Sequence, residues 1–124
     1  MINLSPTFYT LAHILVGLLF CIAAVMNIKN YQAVLLEMQT KKIPLAQIVL
    51  IIGIAYESIF GLMLIFGILI PFAAMMLVPF VIITALMFHN FWKYQGEKRQ
   101  INLSIFVMHM TVTLGSLLLL MCVI

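Results

Sequence analysis

Charge is scarce in this sequence. Three acidic and six basic side chains occur in 124 residues, so 7% of the chain is charged against 66% hydrophobic. Soluble domains run at roughly a quarter charged and about half apolar. A chain long enough for a single domain buries a smaller share of its surface than a large protein does, so it has no means of hiding this much apolar surface in water. The shortage excludes a water-soluble fold and makes the bilayer the solvent. The few cations form no run, which excludes the basic stripe that nucleic-acid binding requires.

Cysteine is as sparse. Cys21 and Cys122 are the only two, and no Cys-x-x-Cys occurs. Cys21 falls deep in the first apolar stretch and Cys122 at the far end of the last, which is expected to hold their Cα atoms beyond the roughly 7 Å limit for bridging. No zinc, phosphate-loop, dinucleotide or nucleophile motif is present, so no metal site is expected. There is no internal repeat and no low-complexity segment. The ten methionines read as flexible packing residues of an apolar bundle.

What is present is four apolar stretches. A membrane-spanning helix needs about 20 such residues, and the stretches run over about 8–28, 45–69, 71–92 and 101–123. The sequence predicts an all-α, integral membrane four-helix bundle, a single transmembrane domain over residues 1–124. Gly67 suits a helix C-cap and Pro71 the first turn of the next helix, giving a tight hairpin. Pro79 is expected to kink the third helix. The first stretch has no Lys or Arg before it and no small-x-small site after it, so it is expected to stay as a mature helix rather than a cleaved signal peptide.

The cations orient the bundle. Lys29, Lys41 and Lys42 fall in the first loop, and Lys93, Lys98 and Arg99 in the third. The positive-inside rule puts both loops in the cytoplasm and both termini outside, in a multi-pass membrane protein. Within the first loop Tyr31, Val34, Leu35 and Met38 recur at helical spacing, predicting a short interfacial amphipathic helix. Phe91, Trp92 and Tyr94 read as an aromatic anchor at the same interface.

Polar residues inside the spans carry the functional reading, because a charge at mid-membrane costs roughly 2.5–3.5 kcal/mol on insertion scales. Glu57 is the acidic residue within a span, about 18 Å from the inner end of the second helix at 1.5 Å per residue. Gly53 and Gly61 stand four residues to either side, where small residues admit a neighbouring helix. The first helix carries a small or polar stripe of His13, Gly17, Cys21, Ala24 and Asn27. The fourth offers Asn102, His109, Thr113 and Ser116, and the third offers Thr84, His89 and Asn90. Counting rise per residue, His109 and Thr84 lie near the level of Glu57, while His89, Asn27 and Asn102 lie near the inner end and His13 nearer the outer side. These positions predict a polar interior track, open inward, with Glu57 and His109 at its floor. The ligand-binding or proton-handling candidates are Glu57, His109, His89, Asn27, His13 and Thr84; Gly53, Gly61 and Gly17 are the candidates for helix packing. The competing reading is that such groups only bind helices together, at about 0.6 kcal/mol each. His89 and His109 are expected to differ by about 8 Å in depth, which argues against a bis-histidine haem.

The stretch from Gly53 to Gly67 (GIAYESIFGLMLIFG) resembles the second helix of the DoxX family of small bacterial membrane proteins. So do the run from Phe20 to Ala24, the ending Phe88-His89-Asn90-Phe91-Trp92, and Gly115. The resemblance implies a four-helix membrane bundle and an association with membrane redox systems, either thiosulfate–quinone oxidoreduction or complexes that counter oxidative stress. Where the family tends to place Arg, Gly-x-x-Lys and Lys-Asn, this chain has His13, Ala24 with Asn27, and Met108 with His109. A Glu57–His109 contact is the natural substitute for the lost charge pairing. Three functions stay open: an accessory subunit binding a quinone or lipid, a quinone-linked oxidoreductase subunit, and a small oligomeric transporter. Beyond the lipid bilayer, a redox-complex protein and a second copy of the chain are the candidate partners. Quinone or bound lipid is the candidate cofactor.

Overall fold

Ser5 opens the first helix by accepting from the Phe8 N–H at 3.4 Å, with Pro6 in the first turn where its missing N–H is no loss. A computed structural model describes residues 5–122 of the chain. In it α1 spans Pro6–Lys29, α2 Tyr31–Thr40, α3 Ala46–Phe66 and α4 Ile70–Phe88. A 3-10 turn, Phe91–Lys93, leads to α5, Gly96–Met108, which continues through a π-helical turn, His109–Thr113, into α6, Leu114–Cys122. Among the described residues four helical stretches are long and apolar enough to cross a membrane: Pro6–Lys29, Ala46–Phe66, Ile70–Lys93 and Gly96–Cys122. The molecule is an all-helical, multi-pass membrane protein. The predicted end of the last helix, Val123, lies outside the described residues.

The helices pack as a bundle, with α1 on α3, α3 on α4, and α4 on α6. The core runs through Phe20, Leu64, Ala73, Ala74, Leu77, Val81, Leu117 and Leu120. Large apolar side chains such as Leu15, Ile52, Ile59, Ile83, Val112 and Leu119 face outward on every span. That surface is acceptable only in lipid. Gly67 ends α3 in the left-handed conformation (φ 71°), with its N–H on Leu64 O and the Ile68 N–H on Met63 O, so two orphan carbonyls are satisfied. The helix therefore stops at Phe66, three residues before Leu69, where the apolar run alone placed its end. α4 continues through Pro79.

The six cations all belong to one end of the bundle, called here the lysine-rich end: the last turn of α1, the α2–α3 connection, the turn after α4 and the first turn of α5. There α2 buries Met38 against Ala46 and Leu50, with Tyr31, Val34 and Leu35 packed beside it. α4 ends at Phe88, four residues before Trp92. Lys41 Nζ reaches the freed carbonyl of Met87 at 2.7 Å and Asn90 Oδ1 at 3.1 Å, capping the helix from another element. Phe91, Trp92 and Phe106 then pack edge to face, with ring centroids 5.3–6.1 Å apart. α5 starts at Gly96, five residues before the apolar run. Polar residues carry this first turn, Glu97 suiting the positive end of the helix dipole.

Candidate functional site

The α1–α3 crossing sets the frame of the site. A Cβ built on Gly17 would stand 2.7 Å from Gly61 O and 2.8 Å from Ile65 N; one on Gly61 would meet Cys21 Sγ at 3.0 Å. The two backbones touch here, and Asn27 and Glu57, beyond this point on their helices, are brought to the same level. Gly53 is different: a Cβ there would meet only Phe80, at 3.9 Å.

Glu57 is buried, at 4% exposure, and accepts from Asn27 Nδ2 across the interface at 3.5 Å. That distance is at the weak limit of a hydrogen bond, so the carboxyl retains acceptor capacity. It faces a cavity of about 350 Å3. Asn27 comes to its wall from α1, Glu37 from α2, Thr84 and His89 from α4 and its end, and Asn102, His109 and Thr113 from the last span. Phe20, Phe80, Val81 and Phe88 supply the apolar wall. Five of the six candidates of the sequence reading thus meet in one place: Glu57, Asn27, Thr84, His89 and His109.

Their hydrogen bonds define what the cavity offers. His89 Nδ1 lies 3.2 Å from Asn102 Oδ1, a contact that requires the proton on Nδ1. Asn102 is itself held, its amide donating to Lys98 O at 2.9 Å. Thr84 donates to its own helix, at Phe80 O, and keeps its oxygen lone pairs. His109 Nδ1 is buried and has no partner. Of the expected Glu57–His109 contact, no hydrogen bond is formed among the described residues. Both groups line the cavity, and His109 pairs instead with His89, ring centroids 5.5 Å apart. This corrects the expected 8 Å separation in depth. α4 ends at Phe88, so His89 sits in a turn and is not held to helical rise. The π-helical turn beginning at His109, in which the Leu114 N–H reaches back five residues to His109 O, also shifts the face that the last span presents.

His13 lies elsewhere. Its Nδ1 is 2.6 Å from Leu64 O, and its ring packs on Tyr9 at 5.2 Å, near Gly67 and the end of α3 away from the lysines. It ties α1 to a carbonyl at a helix end and takes no part in the cavity.

A second, apolar groove of about 360 Å3 opens between α3 and α4, lined by Leu50, Ile52, Gly53, Tyr56, Pro79, Ile83 and Met87. Asn27, Val34, Phe80, Thr84 and Phe88 line both spaces, so the groove and the polar cavity adjoin along a common wall. Tyr56 sits at its side and donates to Met76 O at 2.5 Å. Its sequence signal is a hydroxyl inside a span. Glu37 was also missed, since a carboxylate on an interfacial helix reads as solvated.

The DoxX family model matches residues 8–90. The chain belongs to the DoxX family. No curated protein and no solved structure matches it. The family match covers α1 to α4, and with them Asn27, Glu57, Thr84 and His89. In this DoxX chain the other half of the polar wall, Asn102, His109 and Thr113, comes from beyond the matched residues.

Proposed function

We propose that this DoxX-family protein binds a membrane-soluble amphiphile, a quinone or a lipid, as an accessory subunit of a membrane redox or stress-response system. The observation that carries the reading is the shared wall of the polar cavity and the apolar groove. A ligand with a polar head and an apolar body needs both kinds of surface side by side, each here of small-molecule size (about 300–1,000 Å3). The carbonyl or hydroxyl of the head would meet the Asn27–Glu57 pair and His109, whose Nδ1, buried in this structure, reaches the head once the imidazole turns into the cavity. The apolar body would lie against Leu50, Ile52 and Ile83. We place the protein in the bacterial inner membrane with the lysine-rich end in the cytoplasm, on the cation distribution.

A second reading rests on the His89–His109 pair. Two imidazoles 5.5 Å apart beside a buried carboxyl are groups that exchange protons with a quinone, which favours a quinone-linked oxidoreductase subunit. Titration of a quinone into the protein in lipid nanodiscs tests both readings. Saturable binding that weakens in Glu57→Gln supports the site, and absence of binding overturns the quinone as its ligand. Quinol oxidation by the isolated chain with a soluble acceptor would select the catalytic reading over the accessory one.

A further inference from the structure

A separate hollow of about 700 Å3 opens at the lysine-rich end, between α2, the turn after α4 and the start of α5. Four of the six cations of the chain line it: Lys41, Lys42, Lys93 and Lys98. They come from two segments about 50 residues apart, so the fold and not the sequence gathers them. The hollow is also partly rigid. Lys41 Nζ is held by Met87 O at 2.7 Å and by the side chain of Asn90, itself buried. The Tyr94 ring stands beneath two ammonium groups, Lys98 at 4.6 Å and Lys41 at 5.8 Å.

A single carboxylate, Glu37, shares the lining, which leaves an excess of positive charge in a concave space. Such a space concentrates anions. Orientation of the chain in the membrane requires the lysines to lie at one end and does not require them to converge on a hollow. Lys29 and Arg99 lie at the same end without lining it.

We propose that this hollow binds a phosphate-bearing anion, with the ammonium groups of Lys42, Lys93 and Lys98 as donors around the fixed Lys41. Lysine suits phosphate as a compact point charge with three donors. The phosphate belongs either to an anionic lipid headgroup or to a free phosphate compound. Leu36, exposed at the rim, lies where a lipid chain would pass. The hollow meets the interior cavity at Glu37, which lines both, but its lysines do not line that cavity, and the proposal stands whether or not the cavity binds an amphiphile.

Native mass spectrometry of the protein released from vesicles of phosphatidylcholine containing a minority of phosphatidylglycerol tests it. The wild-type protein is expected to retain phosphatidylglycerol in preference to phosphatidylcholine. Lys42→Gln/Lys98→Gln is expected to weaken that retention about 30-fold, a factor of about five for each lysine at a membrane surface. Lys29→Gln/Arg99→Gln, equal in charge but outside the hollow, is expected to leave it unchanged. Should the first double variant not assemble, Lys93→Gln alone is expected to show about a fivefold loss. Inorganic phosphate added as competitor assigns the source: displacement of the lipid points to a free phosphate compound, and persistence to the headgroup. Equal loss in both double variants, or no preference for phosphatidylglycerol in the wild type, overturns the proposal.

Discussion

Asn27 on α1 donates its amide to the Glu57 carboxylate on α3 at 3.5 Å, beside a cavity that both side chains line. The pair bridges the first two spans, yet the bond is too long to account for a buried carboxyl as helix glue. A double-mutant cycle on Asn27→Ala and Glu57→Leu is expected to give a coupling below about 1 kcal/mol in thermal or denaturant unfolding. A coupling well above that would make the pair a structural tie.

The Gly17–Gly61 crossing predicts a contrast between glycines. Gly17→Ala drives a methyl into the backbone of α3, where nothing flexible yields, and is expected to destabilise by about 1–3 kcal/mol. Gly53→Ala meets only the edge of Phe80 at 3.9 Å and is expected to stay within about 0.5 kcal/mol of wild type. Unfolding curves of the two variants in the same detergent check this.

His13 is expected to matter for stability and not for binding. His13→Ala removes one of the two donors on Leu64 O and leaves the Gly67 N–H in place, for a loss of about 0.5–1.5 kcal/mol. Quinone affinity, measured in the folded variant, is expected to be unchanged.

His109 predicts the reverse pattern. Its Nδ1 is buried without a partner, so His109→Phe removes an unsatisfied polar atom and keeps an aromatic ring. Stability is expected to hold or rise, while ligand affinity falls about fivefold, the worth of one hydrogen bond. A variant that lost stability and bound normally would place His109 among the packing residues.

Much of this arrangement is legible in the residues. The spans follow from apolar run length, and the convergence of Glu57, Thr84 and His109 follows from depth counted at helical rise; Asn27, which that count puts near the inner end, instead reaches Glu57 across the α1–α3 interface. His89 escaped that count. The rise per residue applies only inside a helix, and Asn90 with the capping Lys41 ends α4 at Phe88. The π-helical turn at His109 escaped too, because a one-residue slip in hydrogen bonding leaves the apolar pattern nearly intact. His13 belongs to the same small and polar stripe as Asn27 but lies at the other end of the span, where a helix terminus and not a cavity awaits it. The gathering of four lysines in one hollow depends on how the loops fold back, which local periodicity does not encode.

The central claim is that the joined polar and apolar spaces around Glu57 hold an amphiphile. Native mass spectrometry of the protein, gently extracted from its own membrane, tests it most directly. The account predicts a retained adduct of quinone or lipid mass that is lost in Glu57→Gln and kept in His13→Ala. A protein that emerges bare, or an adduct indifferent to Glu57→Gln, would contradict it and return these polar residues to the packing of helices.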